Sequence, residues 1–224
     1  ILRKMKMLFT ELAREKSSIF WERSFEHPFI QGLVSGELAP EVFRYYLLQD
    51  RYYLEHFSKL YFLIAKKSAS EEIQAHLRLN AEELKNGEIF VREGFFKELE
   101  IGEQEILETP VAPTAYHYVS HMYRQLIDGS VNSAIAGMLP CAWLYHEIGL
   151  RLIEVGSPNP LYQKWIETYA SEEATVQIAK ECDIINRLYQ ESDEQEQEQM
   201  LEAFLISSKM EADFWEMALV LEKW

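Results

Sequence analysis

Basic residues, glycine, proline and cysteine are all scarce in this chain, and long apolar runs are missing altogether. Lys and Arg number 22 against 37 Asp and Glu, for a formal net charge of −15 at pH 7. Such an acidic balance opposes binding to phosphate backbones and anionic lipid surfaces, so neither nucleic acid nor membrane is an expected partner. No window of about 18 apolar residues is free of charge, which leaves no support for a membrane span. The opening stretch ILRKMKMLF is too short and too charged to read as a secretory signal. Ile1 is not an initiator, so the expectation is an N-terminus that is incomplete or processed. Two cysteines, Cys141 and Cys182, lie far apart with no C-x-x-C spacing, which fits a reducing cytoplasm better than a disulfide framework.

Only 9 Gly and 7 Pro punctuate the chain, and between them apolar residues recur with helical rather than alternating period. The expected class is all-α. The pattern predicts helices over 3–24, 28–34, 40–67, 71–99, 113–128, 131–154, 160–169, 172–190 and 193–222. Pro40 and Pro160 suit the first turn of a helix, where a missing N–H leaves nothing unpaired. Ser171 before Glu172 and Glu173 combines a capping hydroxyl with acids at a helix N-terminus, and Ser192 with Gln195 reads as a capping box opening the last helix. The run ESDEQEQEQ reads as a solvated face. No repeat, low-complexity linker or shift of composition divides the chain, so residues 1–224 are expected to form one helical domain.

Several predicted helices direct a polar group onto an apolar stripe. Tyr46, Leu47, Asp50, Tyr53, Leu54 and Phe57 share one face, with Asp50 in its middle. An unpaired carboxylate there costs several kcal/mol or more, and Arg44, Arg51 and Lys59 all fall off the stripe. Cys141 and Tyr145 align with Ala134, Met138, Ile148 and Leu152, beside an in-helix Pro140 that removes one backbone bond and should bend the axis. Tyr118 aligns with Ala115, Val119, Met122 and Leu126. Glu211 aligns with Phe204, Ser207, Ser208, Phe214, Trp215 and Ala218. If these four faces converge, they enclose an aromatic pocket holding a thiol and two carboxyls, suited to a small molecule. The plainer readings are a cysteine serving as a small hydrophobe and tyrosines serving as core; Cys182 is assigned to structure. None of the six histidines has a Glu three positions before it, so the di-iron Glu-x-x-His pattern is absent. His117 and His121 stand four apart, a chelating spacing that often arises by chance, and no metal or cofactor is expected. Glycine-rich dinucleotide and phosphate loops and the G-x-S-x-G elbow are also absent.

Five stretches in order, HPFIQGLVSGELAPEVFRYYLLQDRYYLEHF, PTAYHYVSHMYR, MLPCAWLYHEIG, YQKWIETYA and ISSKMEADFW, carry a further signal. From about residue 20 to 222 the chain resembles the TenA family, also called thiaminase II or aminopyrimidine aminohydrolase, in its cysteine-bearing branch. The resemblance implies an all-helical bundle similar to haem oxygenase, usually a homotetramer, with no haem or metal. It implies hydrolysis of 4-amino-5-aminomethyl-2-methylpyrimidine to the hydroxymethyl pyrimidine and ammonia, or of thiamin to the same alcohol and the thiazole, in thiamin salvage. Residue by residue it implies Cys141 as nucleophile, Asp50 as the acid holding the pyrimidine amine and a ring nitrogen, and Tyr53 one turn on. Tyr118, Tyr145 and Tyr169 become phenolic pocket residues, with Glu211 the late acid and Phe214 a ring-stacking wall. Tyr169 enters through the resemblance alone. The family often carries a pocket-directed His on the helix matching 71–99; here His76 is too early and Glu88 lies near that spot. A thiol has a pKa of about 8.5, and neighbouring carboxylates raise it further, so the proton of Cys141 needs an acceptor, a task that falls to Glu211. The alternative is a non-catalytic pyrimidine- or thiamin-binding or regulatory protein on the same fold.

Overall fold

The computed structural model describes residues 7–224, and residues 3–6 of the first predicted helix lie outside that range. Eleven α-helices and one π turn follow in order: α1 (Phe9–Phe25), α2 (Pro28–Ser35), α3 (Pro40–Lys67), α4 (Glu71–Leu84), the π turn (Lys85–Ile89), α5 (Phe90–Glu98), α6 (Glu103–Glu108), α7 (Pro113–Asp128), α8 (Val131–Ile153), α9 (Pro160–Tyr169), α10 (Glu172–Glu191) and α11 (Glu194–Leu219). The described residues contain no strand, and none of the helices is long and apolar enough to cross a membrane.

The helix starts follow local chemistry. Proline occupies the first turn of α2, α3, α7 and α9, where the absent N–H removes a donor that would have no partner. Ser171 caps α10 by accepting from the Ala174 amide at 3.1 Å. The last helix corrects the expected capping box. Asp193, not Ser192, is the cap and accepts from the Glu196 amide at 2.9 Å, while Ser192 turns back to donate to the Leu188 carbonyl at 2.8 Å. A carboxylate one residue further on makes the stronger, charge-assisted cap. Two further departures bear on function. The helix predicted over 71–99 is interrupted by the π turn, and the short α6 was not expected.

Helix α8 is the centre of the bundle, packed against α11, α9, α7, α10 and α3. A hydrogen bond and a glycine bring two of its neighbours close. The Ser207 hydroxyl of α11 donates to the Gly137 carbonyl at 2.6 Å. At Gly149 the backbone of Tyr169 passes so near that an added Cβ would lie 2.6 Å from its carbonyl carbon. The end of α9 is therefore drawn onto α8, and the Tyr169 carbonyl bonds to His146 Nδ1 at 2.9 Å. Around this axis the fully buried rings of Trp21, Tyr46, Trp165 and Trp215 form an aromatic core. Tyr46 of α3 is central to it, 5.9 Å from Trp215 and 6.2 Å from Phe214 by ring centroids, offset and edge contacts that add to simple burial.

Candidate active site

Asp50 stands on the buried face of α3 with 6% of its surface exposed. None of the described residues forms an ion pair with it: Arg44 bonds to Glu105 and the Leu99 carbonyl, and Arg51 and Lys59 turn to Glu55. The one cation that acts on it is Arg92 of α5, and burial outweighs that attraction, pushing the carboxyl up to about 7. Desolvation disfavours the charged form, so the acid the stripe places inside holds its proton up to near neutrality, where it is about half ionised.

Glu211 on α11 is 2% exposed and accepts a 2.6 Å hydrogen bond from the Tyr118 hydroxyl of α7. Burial raises it to about 8 although that bond favours its ionised form. Cys141 on α8 lies beside Glu211 and Tyr53. Burial raises its thiol well above the ordinary range, and the charges of Glu211 and Glu88 raise it more than Tyr53 offsets. The resting sulfur is therefore a thiol, not a thiolate.

Aromatic walls close this region. The Tyr53 ring is 4.9 Å from Tyr118 and 5.8 Å from Phe214. The Tyr145 ring is 5.0 Å from both Tyr169 and Trp215, and its hydroxyl accepts from Tyr46 at 3.3 Å. Each of Asp50, Tyr53, Tyr118, Cys141, Tyr145, Tyr169, Glu211 and Phe214 thus belongs to one contiguous cluster drawn from five helices. Open space reaches them unequally. Cys141 and Tyr169 line a cleft of about 810 Å³; Asp50 and Tyr169 line a smaller adjoining chamber. The other five pack behind these walls.

Two side chains that the stripes did not select complete the chamber. Glu88 on the π turn and Arg92 on α5 face Asp50, Trp165 and Tyr169 across it. Glu88 also opens onto the Cys141 cleft and accepts from the Tyr169 hydroxyl at 3.3 Å. Burial and the charge of Asp50 push it up to about 7. The spacing carried a signal for both: Leu84, Glu88, Arg92 and Phe96 step four by four along one face. His117 lies against Trp224 and His121 against the Ala203 carbonyl. The described residues include no group of three or more His, Cys, Asp and Glu placed to hold a metal ion. Cys182 is on α10, partly buried and outside the cluster, and both cysteines are free.

A helical bundle enclosing a thiol, three carboxyls raised by burial and a ring of aromatics has the make-up of an interior small-molecule pocket. The chain belongs to the TENA/THI-4/PQQC family, whose signature matches residues 15–220. It is similar to an aminopyrimidine aminohydrolase of Bacillus subtilis, 38% identical with 97% of this chain and 92% of that one covered. An aminopyrimidine aminohydrolase of Halalkalibacterium halodurans is 30% identical over 97% of this chain and 98% of its own. Among solved structures, a TenA homologue from P. horikoshii superposes with a TM-score of 0.86 at 27% identity, covering 96% of this chain and 99% of the other. The architecture is accordingly the all-α, haem oxygenase-like fold of these proteins.

Proposed function

We propose that this chain is an aminopyrimidine aminohydrolase that converts 4-amino-5-aminomethyl-2-methylpyrimidine to the hydroxymethyl pyrimidine and ammonia, and cleaves thiamin by the same chemistry, in thiamin salvage. The observation that carries the reading is the buried thiol of Cys141, beside the proton-bearing Glu211 and at the inner wall of a cleft that adjoins Asp50.

Asp50 binds the aminopyrimidine edge. A carboxyl poised at about 7 offers an acceptor to the exocyclic amine and, when protonated, a donor to the neighbouring ring nitrogen. Tyr169, which lines both the cleft and the chamber, offers its ring to the heterocycle, and Phe214 with the other tyrosines backs that wall. Glu211, at about 8, carries a proton at neutral pH and gives it to the ring, which makes the ring a better electrophile. The carboxylate so formed takes the proton of the Cys141 thiol as the sulfur bonds to ring carbon. In this way the high pKa of the thiol is met by a base that exists only once substrate is in place. The bond from the exocyclic methylene to nitrogen then breaks, its electron pair leaves with ammonia, and water adds at the methylene. Return of a proton to sulfur and cleavage of the carbon–sulfur bond release the alcohol. Tyr53 and Tyr145 hold the thiol and rings in register.

Incubation with the aminomethyl pyrimidine and with thiamin, reading ammonia and pyrimidine alcohol for each, tests the activity. Cys141→Ser is expected to abolish product with both while the far-ultraviolet spectrum is unchanged; near-normal turnover in that variant removes covalent catalysis. We further propose a cytoplasmic homotetramer, supported by two free cysteines and by exposed apolar side chains such as Ile19, Phe62 and Phe90, and testable by light scattering.

A further inference from the structure

Glu88 has no part in the chemistry above, yet it occupies the boundary between the two spaces of the site. It lines the chamber of Asp50 and the cleft of Cys141, and apart from the aromatic Tyr169 it is the only polar group besides Thr168 to line both. The residue as a whole is half-buried. It sits on the one π turn of the described residues, a local irregularity that recurs at functional sites. The charge of Asp50 acts on it directly, so the two carboxyls are neighbours. The Tyr169 hydroxyl, 3.3 Å away, fixes one of its oxygens and leaves the other uncommitted.

The proposed substrate carries its two amines on adjacent ring carbons, the ring amine at one and the aminomethyl group at the next. Two adjacent acids match two adjacent amines. With Asp50 on the ring amine, the aminomethyl group is directed past Tyr169 toward the cleft, the side on which a leaving group can escape. We propose that Glu88, oriented by Tyr169, is the receptor for the cationic leaving group, binding the aminomethyl ammonium and thereby setting the preference for substrates that bear a positive charge at this position. The assignment rests on the aminopyrimidine reading. Its chemical consequence balances simply: the amine is held as R–CH2–NH3+, the carbon–nitrogen bond breaks with both electrons going to nitrogen, and neutral ammonia leaves without a further proton. Glu88 stays a carboxylate throughout that step.

The discriminating probe is the neutral product, which differs from the substrate only in carrying a hydroxyl where the substrate has an ammonium. Ammonia release from the aminomethyl pyrimidine and competitive inhibition by the hydroxymethyl pyrimidine are measured in the wild type and in Glu88→Gln, a substitution of equal shape. Loss of one charge-assisted contact lowers kcat/KM by about tenfold or more, while the inhibition constant of the alcohol stays within about twofold; Tyr169→Phe moves both readings the same way by less. Equal weakening of substrate and alcohol makes Glu88 merely structural and overturns the assignment, as does an unchanged kcat/KM. A wild-type protein that neither turns over the amine nor binds the alcohol overturns the aminopyrimidine reading itself, and this assignment with it.

Discussion

Glu211→Gln should make the protein more stable and inactive at once, and the gain should depend on pH. The carboxyl has an ordinary value of 4.5 and is raised to about 8 in the fold, chiefly by burial. Because the folded value lies above the unfolded one, the contribution of this group to stability is full below pH 4.5 and is lost as pH rises through about 8. Each pKa unit corresponds to about 1.4 kcal/mol. At pH 5.5 about one unit of the difference has been lost, and at pH 8.5 nearly all of it, so the two conditions differ by about 3 kcal/mol for Glu211 titrating alone. Glutamine copies the protonated acid, keeps an oxygen for the 2.6 Å bond from Tyr118, and cannot ionise. Urea unfolding of both proteins at pH 5.5 and 8.5 should show the variant ahead by about 1.4 kcal/mol at the lower pH, the one unit that wild type has already lost there. Between the lower and the higher pH that lead should widen by about 2 to 3 kcal/mol, the smaller figure allowing for Asp50 and Glu88 sharing the same pocket. Ammonia release should be lost at both. A stability difference that does not change with pH, or a variant weaker than wild type at pH 8.5, would refute the claim that this acid holds its proton because it is buried.

Two further outcomes follow from the same geometry. In Tyr118→Phe the bond that favours ionised Glu211 is gone; since the reaction needs Glu211 protonated, the alkaline limb of kcat/KM, expected near pH 8 in wild type, should move to higher pH, as read from a rate profile between pH 6 and 10. Gly149→Ala puts a methyl 2.6 Å from the Tyr169 carbonyl carbon and should cost about 1 to 3 kcal/mol by overpacking together with most of the activity, whereas Gly94→Ala, with nothing within 4 Å of the new atom, should raise stability by up to about 1 kcal/mol and leave turnover unchanged; thermal unfolding and ammonia assays read both.

The periodicity of apolar residues located the major helices because each buries one face, and that face repeats every three or four positions whatever it packs against. The same rule picked out Asp50, Tyr118, Cys141 and Glu211, since a polar residue on a buried face is visible in one dimension. It failed where two conditions met. The stretch from Glu71 to Glu98 reads as one helix because no proline or cap marks the π turn at Lys85–Ile89, and a π turn is itself helical, differing from an α turn in its hydrogen-bond partner. No stripe selected Glu88, which entered only as lying near a pocket-directed family position, nor Arg92, nor Glu181, which is 9% exposed on α10 and accepts from Asn80 at 2.9 Å. Charges on long surface-facing helices are common, and only the packing of α4 and α5 across α3 turns two of them inward. The helix Glu103–Glu108 is six residues long, too short for a period to be read. Tyr169 ends α9, where no stripe can be established; what brings it to the site is Gly149 on another helix, a pairing that no local pattern contains.

Three carboxyls around a thiol look ill suited to nucleophilic chemistry, since fixed negative charge opposes a thiolate. Their burial changes the sense of the arrangement. Asp50 and Glu88 at about 7 and Glu211 at about 8 carry protons for much of the time near neutrality, so the empty pocket holds less negative charge than its composition implies. A cationic amine entering it lowers the pKa of whichever acid it meets, and a ring nitrogen that accepts the Glu211 proton turns that acid into a base. Ligand binding thus supplies the base that the resting protein lacks. Cys141, held as a neutral thiol until then, gains reactivity only opposite a molecule that can both take a proton from the surrounding acids and offset their charge, and on this account the same buried acids select the substrate and switch on the nucleophile.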